Sequence, residues 1–252
     1  SIETVKTRVR QQATNNISDK LRDKYLRENN YKIVHINMLS AANILPVIVA
    51  KRQKIKHIII HSHNSNTPSG LLRKLLNALN KPFLHLGTDF FACSKLAGEW
   101  LFGKNFLKKH ELKIINNAVD IDKYKFNAQT RENIRNELEC REKFVIGHIG
   151  RFCYQKNHDF LINVFYEVQK EDKDMILLLI GEGELKEEIQ EKVKKLNIQD
   201  NVIFLGTTNK VQNYLQAMDL FVLPSRFEGL PVVGIEAQAS GTKCLFSNNI
   251  TK

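Results

Sequence analysis

The sequence predicts an α/β fold whose parallel sheets are covered by helices on both faces. The first observation is that short apolar strands alternate with amphipathic helices from about residue 31 onward, which is the pattern of parallel sheets. The second is an uneven charge: residues 1–120 carry 20 lysines and arginines against 8 acidic residues, whereas residues 121–252 carry 18 against 19. We therefore predict two domains, 1–120 and 121–252, which meet near the stretch NNAVDID.

The first domain is predicted to have a helix over 18–29, with Ser18 as its N-cap, before its strands begin. Its strands are expected at 31–38, 56–64, 89–94 and 111–119. The predicted helix over 71–81 has leucines on one side. Those leucines are Leu71, Leu72, Leu75, Leu76 and Leu79. One interpretation is that they belong to the domain core.

The second domain is predicted to have strands that each end in a polar loop. The loops are GRFCYQK after 143–149, GEGE after 175–180, GTTNK after 202–205 and PSRFEGLP after 219–223. In parallel α/β sheets, ligands bind beyond the carboxyl ends of the strands. All four loops therefore lie on the edge where a ligand is expected.

Composition excludes several classes of protein. The apolar runs are too short to span a bilayer, and the four cysteines are scattered without a CxxC pair, which predicts reduced thiols in a cytoplasmic protein. The net charge of +11 favours an anionic partner such as nucleic acid, an anionic membrane or a phosphorylated substrate, unless it is only a solvated basic face. No aromatic–basic surface motif accompanies the charge, so we expect no nucleic-acid binding.

The loop GRFCYQK places Arg151 and Lys156 between a strand and a helix. Two cations beside a helix N-terminus make a good diphosphate site, although two surface charges would give the same pattern. The GEGE loop is a weaker signal, because Gly-x-Gly turns are common at strand ends.

The stretch FEGLPVVGIEAQASG sets Glu228 and Glu236 eight positions apart around a Gly-Leu-Pro turn. Both carboxylates can accept hydrogen bonds from vicinal hydroxyl pairs, and the free amides of the helix start can donate to oxygen atoms. An ordinary helix start with dipole-complementing glutamates explains Glu228 well and Glu236 less well.

These segments, GRFCYQKNHDFLI, GEGEL, VIFLG and SRFEGLPVVGIEAQASG, resemble the retaining nucleotide-sugar glycosyltransferases of family 4, in particular the bacterial capsular and exopolysaccharide transferases. The resemblance covers residues 31–252. It implies a GT-B architecture, in which two Rossmann-like domains face each other across a cleft. The family's N-terminal Gly-rich loop is not recognisable in residues 1–30, and the family's final helices do not follow CLFSNNITK. We therefore expect the fold to be incomplete at both termini.

The resemblance also implies roles for individual residues. Arg151 and Lys156 would hold the donor diphosphate, and Glu236 would bind the ribose hydroxyls. Glu228 would contact the donor sugar. The remaining donor-site positions are backbone amides near Gly229 and Leu230, and the loop at Gly206 and Thr207, which would line the base.

In the first domain, the resemblance places a histidine near the reacting centre, at the end of the strand that finishes in HSHN. His63 fits that position best and His61 is the alternative, since alternate strand residues share a face. Either could instead be a hydrogen-bonded core histidine. Ser94 and Asn117 match positions that form the cleft.

The function that follows is a retaining glycosyltransferase that moves a sugar from a nucleotide-diphosphate donor, expected to be a UDP-sugar, to a glycan or polyprenyl-linked acceptor in capsular or exopolysaccharide synthesis. No cofactor or metal is expected, because Asp120–Asp122 and Asp172–Asp174 are not on the Arg151 edge. The alternatives are a non-catalytic or truncated nucleotide-sugar-binding remnant, and another GT-B enzyme such as a sugar-nucleotide epimerase or a phosphorylase. For a lipid-linked acceptor, Arg73 and Lys74 beside the leucines, together with the cluster Lys104, Lys108 and Lys109, could rest on an anionic membrane.

Overall fold

The structure is a computed structural model that describes residues 31–66 and 70–250. The helix predicted over 18–29 and its cap Ser18 lie outside the described residues. Two parallel sheets are present, one on each side of the segment around residue 120. The two parallel sheets confirm the predicted fold class.

The first sheet has four parallel strands in the order in which they occur along the chain. They are β1 (Ile33–Met38), β2 (His57–Ser62), β3 (Asp89–Ala92) and β4 (Leu112–Ile114). β4 ends well before residue 119, where the predicted strand would end. The reason is local: the Asn116 side chain donates to the carbonyl of Cys93, so a side chain replaces the backbone ladder there.

Helices cover this sheet and close its core. They are α1 (Leu45–Arg52), α2 (Leu71–Asn80), α3 (Lys95–Phe102) and α4 (Lys104–Leu107), with a 3-10 turn at Lys81–Leu86. α1 begins with a proline in its first turn, and α3 is capped by Ser94, whose hydroxyl accepts from the amide of Ala97. Ile58, Ile60 and Leu101 are fully buried between strands and helices, so apolar burial holds this unit together.

The leucines of α2 do not belong to this core. All five are exposed, and the buried residue of the helix is Asn77. The interpretation of the leucine stripe as domain core is therefore wrong. Periodicity identifies an apolar face, but the tertiary structure decides which face of a helix points inward.

The second sheet has five parallel strands in the order β7-β6-β5-β8-β9. They are β5 (Phe144–Ile149), β6 (Met175–Ile180), β7 (Val202–Gly206), β8 (Leu220–Leu223) and β9 (Lys243–Phe246). The helices are α5 (Ile121–Tyr124), α6 (Ala128–Glu137), α7 (His158–Glu171), α8 (Lys186–Lys195), α9 (Val211–Ala217) and α10 (Val232–Ala239). Clusters on both faces of the sheet, built around residues such as Leu178 and Leu179, form the core.

A partly buried ion network attaches α6 to this sheet. Asp219, just before β8, accepts from Arg131 and Arg135 and from the amide of Val145. Burial alone would raise the pKa of Asp219, but the hydrogen bonds from Val145 and the two arginines outweigh it and hold that pKa below its usual value. The network fixes the N-terminal ends of β5 and β8 side by side.

The strand order reverses between β5 and β8, which are neighbours although β6 and β7 lie between them in sequence. Such a reversal opens a crevice beyond the carboxyl ends of the two strands, where α/β proteins bind ligands. The loops after β5 and β8 carry GRFCYQK and PSRFEGLP. No helix in the described part of the chain is long and apolar enough to cross a membrane.

Candidate donor site between two sheets

The site centres on an ion pair at the crevice between β5 and β8. The Lys156 ammonium donates to Glu228 Oε1 at 2.7 Å, and the side chains are only 16% and 11% exposed. Around them, the Gln155 amide donates to the carbonyl of Phe227, and the amide of Arg226 donates to the carbonyl of Gln155. The structure thus brings together two of the predicted donor-site residues, whose pairing the sequence did not reveal.

The loop that carries Lys156 is fixed by the residue that follows it, Asn157. A 3-10 turn over Tyr154–Lys156 ends at Asn157, which has a left-handed backbone with φ of 58°. The Asn157 amide donates to the carbonyl of Pro224 in the facing loop. Asparagine tolerates this conformation better than most residues, so the sequence KNH places Lys156 at the crevice and starts α7 directly afterwards.

The glycines of the GEGE loop, a weak signal in the sequence, allow close packing of the backbone against the loop after β5. A Cβ on Gly181 would overlap the carbonyl oxygen of Gly150, and one on Gly183 would overlap the backbone of Phe152. The amide of Gly181 in turn donates to the carbonyl of Gly206, whose φ is 79°. The loops after β5, β6 and β7 are therefore stacked backbone to backbone, with Thr207 exposed beside them.

Arg151 is not part of the shielded pair. Its guanidinium contacts Glu184 at 2.9 Å, and the two side chains are 72% and 55% exposed. Exposed pairs of this kind contribute about 0–1 kcal/mol to stability. Exchange of Glu184 for an anionic ligand would therefore cost little, and Arg151 lies in the same loop as Lys156.

Glu236 has a partner that the sequence did not suggest. α10 begins at Val232, after Pro231, so Glu236 lies in its second turn. The Tyr124 hydroxyl, at the end of α5, donates to Glu236 Oε1 at 2.6 Å. Burial and the neighbouring carboxylate raise the pKa of Tyr124, so the hydroxyl remains a donor. A carboxylate has two oxygens, and the tyrosine occupies only Oε1.

The first unit grips the loop after β8 through three successive carbonyl groups. The Ser65 hydroxyl donates to the carbonyl of Glu228 at 2.5 Å, Ser94 to that of Gly229 at 3.3 Å, and the Asn117 amide to that of Leu230 at 2.6 Å. We call these three contacts the carbonyl clamp. Ser94 and Asn117 were predicted at the cleft, whereas Ser65 had no signal beyond its place after HSHN.

Gly229 is needed where the clamp closes. A Cβ on this residue would lie 2.6 Å from the carbonyl oxygen of His63 and 3.0 Å from Cys93 Sγ. The backbones of the two units approach each other more closely here than any side chain would permit. His63 is thereby placed directly against the loop that carries Glu228.

Histidines on and after strands β1 and β2 form a neutral cluster at the cleft. His63 Nε2 is 2.9 Å from Asn37 Oδ1, and His35 Nε2 is 3.1 Å from His61 Nδ1. Burial, helped by His63 and His35, lowers the pKa of His61 to about 4, and burial followed by His35 lowers that of His63. His61 is buried, as expected of a core histidine, whereas His63 reaches the cleft.

Two further histidines lie beneath Lys156, and sequence reasoning missed them. The rings of His148 and His158 are 4.6 Å apart, and both residues are buried. Burial, followed by the charge of Lys156, lowers the pKa of His158 to about 4. Both rings are therefore expected to be neutral near pH 7. The positive charge next to Glu228 then comes from the ammonium of Lys156, not from these histidines.

The two Asp-x-Asp strings make local contacts. Asp120 contacts Lys123, and Asp172 accepts from the amide of Asp174. In the described ranges, no group of three His, Cys, Asp or Glu side chains is placed to hold a metal ion.

Parts of the chain are similar to known glycosyltransferases. The family described as "Glycosyl transferases group 1" matches residues 130–251. The putative glycosyltransferase EpsF of Bacillus subtilis (strain 168) is 33% identical over 198 residues, which are 77% of this chain and 52% of that protein. A UDP-Gal:alpha-D-GlcNAc-diphosphoundecaprenol alpha-1,3-galactosyltransferase of Escherichia coli is 26% identical over 233 residues, covering 89% of this chain and 60% of the relative.

Solved structures show the same two-sheet arrangement. Anabaena Alr3699/HepE in complex with UDP-glucose superposes with a TM-score of 0.73 at 18% identity, covering 91% of this chain and 63% of that one. A mutant of S. aureus TarM, in complex with Fondaparinux, alpha-GlcNAc-glycerol and UDP, superposes with a TM-score of 0.70 at 20% identity, covering 90% of this chain and 44% of that one. The chain spans about half to three fifths of the length of the two sequence relatives described above. Residues 130–251 are thus similar to the glycosyl transferases group 1 family, and the two parallel-sheet units have the GT-B fold of these solved structures.

Proposed function

We propose that the protein carrying this chain is a retaining glycosyltransferase that moves a sugar from a UDP-sugar to a glycan or lipid-linked acceptor during capsular or exopolysaccharide synthesis. The observation that carries the proposal is the shielded Lys156–Glu228 pair, held in the crevice between β5 and β8 and faced by His63. Support for the donor and acceptor classes comes from the name of the Escherichia coli relative, which includes UDP-Gal and a diphosphoundecaprenol.

The proposed donor complex exchanges the partners of the ion pair. The donor diphosphate would replace Glu228 on the Lys156 ammonium, since a diphosphate offers more negative charge and more acceptor oxygens than one carboxylate. Glu228 would then accept from hydroxyls of the donor sugar. Arg151 would leave its exposed partner Glu184 and add a second cation to the diphosphate.

The remaining donor contacts follow from position. Glu236 would bind the ribose hydroxyls with the oxygen that Tyr124 leaves free. The loop at Gly206 and Thr207, stacked beside the crevice, would line the base. Amides near Gly229 and Leu230 would donate to the sugar, while their carbonyls stay in the carbonyl clamp.

The proposed reaction uses positioning and charge stabilisation. As the bond between the sugar and the diphosphate opens, Lys156 and Arg151 would offset the charge that develops on the leaving nucleotide. The diphosphate would accept the proton of the attacking acceptor hydroxyl, so the new bond forms on the face that the nucleotide leaves. Because these cations serve the diphosphate, we propose that no metal is required, and turnover that is abolished by a chelator would contradict this.

The test starts from UDP-sugars as donors. The protein is screened by thermal shift against a set of nucleotide sugars, since a bound donor raises the apparent melting temperature by mass action. Transfer is then followed with lipid-linked acceptors, and the anomeric configuration of the product is read by NMR. No stabilisation by UDP or any UDP-sugar, or an inverted product, would refute the proposal.

The same assays separate the alternatives. Release of UDP only in the presence of an acceptor excludes an epimerase and a phosphorylase. A calorimetric titration that shows UDP binding, without transfer to any acceptor, would favour a non-catalytic binding protein. We also propose a cytoplasmic location with peripheral contact between the basic first half and an anionic membrane.

A further inference from the structure

Helix α2 is attached to the first unit by its polar side. Asn77 is the buried residue of the helix, and its Oδ1 accepts from the amide of Ala41 at 2.8 Å. Asn80, one turn later, donates to the carbonyl of Ala42. Two asparagines thus bind α2 to the loop before α1. An amphipathic helix on a domain surface ordinarily buries its apolar side instead.

The opposite side of α2 is an apolar face, which we call the leucine face. It consists of Leu71, Leu72, Leu75, Leu76 and Leu79, whose exposed fractions run from 38% to 85%. Two nearby apolar residues are also exposed: Leu45, just after the loop that contains Ala41 and Ala42, and Phe83, just after the end of α2. Single exposed leucines are ordinary, but a contiguous apolar face of this kind marks an interaction site.

The surroundings of the leucine face are strongly basic. Residues 31–88 contain eight lysines and arginines and no aspartate or glutamate. On a helix with 3.6 residues per turn, Arg73 and Lys74 fall on the two sides between the leucine face and Asn77. Both are exposed. Their long side chains can therefore reach past the helix toward an anionic layer.

We propose that the leucine face of α2 inserts among the acyl chains of an anionic bilayer, while Arg73 and Lys74 contact the headgroup phosphates. This inference rests on the proposed function, because a lipid-linked acceptor has to be met at a membrane. Apolar burial combined with basic flanks is what holds interfacial helices in a bilayer surface. A second copy of the chain is a poorer partner, because it would bring the same acid-free basic surface.

The position of α2 connects this surface to the cleft. Leu71 follows Ser65 closely in sequence, and the Ser65 hydroxyl donates to the carbonyl of Glu228. The helix therefore leaves from the edge of the first sheet that faces the donor site.

The test is sedimentation of the full chain with vesicles, at low and high salt. One set contains phosphatidylglycerol and phosphatidylcholine in equal amounts, and the other contains phosphatidylcholine alone. The triple variant Leu72→Ser, Leu75→Ser, Leu79→Ser should bind the anionic vesicles at least about tenfold more weakly. The matched control is Val164→Ser with Val168→Ser, which changes exposed apolar residues of α7 in the other unit and should bind like the unchanged protein.

A charge variant, Arg73→Gln with Lys74→Gln, should also weaken binding and reduce its dependence on salt. The proposal fails if the leucine variant binds anionic vesicles as well as the unchanged protein, because headgroup charge would then be sufficient. It also fails if the protein binds to neither kind of vesicle. A dimer in gel filtration that becomes monomeric in the leucine variant would likewise contradict the proposal.

Failure of the proposed function has a different signature. All of these variants keep the donor site intact, so a thermal shift with UDP should be unchanged in them. If the unchanged protein binds vesicles through the leucine face but is not stabilised by UDP, the membrane surface is supported and the transferase proposal is not.

Discussion

The two sheet edges that face each other across the cleft are built from opposite chemistry. The edge of the second sheet holds a shielded ion pair, Lys156 and Glu228. The edge of the first sheet holds neutral groups: the hydroxyl of Ser65, the amide of Asn117 and the ring of His63, whose pKa burial lowers. The difference indicates that the second sheet supplies the charged side chains of the site. The first sheet positions the loop that carries Glu228 by hydrogen bonds to its carbonyl groups.

The largest expected effect comes from removing the cation. Lys156→Ala should lower transfer by about 10²–10³-fold, because the leaving nucleotide would lose its shielded counter-charge. The matched control is Lys170→Ala, which removes a lysine from an exposed pair with Glu167. Initial rates with saturating acceptor measure the effect. Near-normal turnover in the Lys156 variant would show that charge is not concentrated on this edge.

The close approach of the two edges gives the next prediction. Gly229→Ala places a methyl group against the carbonyl of His63 and should cost about 1–3 kcal/mol of stability, as overpacking does. Gly234→Ala, five positions later inside α10, meets a side-chain carbon of Phe246 at 3.1 Å, a longer contact and one that can yield more easily than a backbone carbonyl. Urea unfolding of both variants measures the difference. Equal stability in the two would mean that the junction can relax.

The neutral histidines on both edges predict a loss of stability in acid. The folded pKa values of His61 and His158 are about 4, below the ordinary value of 6.5. Between those values the unfolded chain binds more protons, so the free energy of unfolding should fall as the pH drops from 6.5, by up to about 1.4 kcal/mol per pH unit for each group.

Denaturant unfolding at several pH values measures this slope. His158→Phe should flatten it, whereas His85→Gln, at an exposed histidine, should leave it unchanged. An identical slope in the His158 variant would contradict the assignment of a neutral ring beneath Lys156.

The carbonyl clamp should make a smaller contribution. Asn117→Ala removes one hydrogen bond to the carbonyl of Leu230 and should cost about 0.5–1.5 kcal/mol. Because the bond joins the two units, we expect the KM for the donor to rise more than kcat falls. Asn133→Ala, whose side chain accepts from Gln129 on the exposed surface of α6, is the control. A change in stability without a change in KM would show that the carbonyl clamp stabilises the fold but does not affect donor binding.

The smallest expected effect is at the ribose end of the site. Tyr124→Phe removes the donor to Glu236 Oε1 and should weaken UDP binding by about two- to fivefold, a loss below 1 kcal/mol. Tyr214→Phe is closely matched, because its hydroxyl donates to Glu137 away from the crevice. Calorimetric titration with UDP measures both. Tighter binding in the Tyr124 variant would mean that the tyrosine competes with the ribose.

Sequence patterns predicted more of the second unit than of the first. Strands 143–149 and 175–180 were correctly placed, because their apolar runs are continuous and buried on both faces. The fourth strand of the first unit was predicted too long, since Asn116 ends it by bonding to a backbone carbonyl from far along the chain. Local propensity contains no information about such a partner.

Motif spacing and the family resemblance predicted the donor residues, but not the side chains that contact them. Lys156 and Glu228 are 72 positions apart, and Tyr124 and Glu236 are 112 apart. Ser65 is separated from Glu228 by 163 positions. Each of these pairs depends on the strand order or on the approach of the two units. A local sequence pattern predicts neither the strand order nor that approach.

By itself the sequence determined the alternation of strands and helices, the loops that end at the ligand edge, and the basic character of the first half. These features follow from residue type and spacing alone. Only the tertiary structure decided that Lys156 meets Glu228, that three neutral side chains hold three successive carbonyls, and that α2 turns its leucines outward. The physical reason is that the strand order and the choice of a helix's inward face are set by contacts between distant segments, such as the hydrogen bond from the amide of Ala41 to Asn77, and the pattern of a single helix does not contain them.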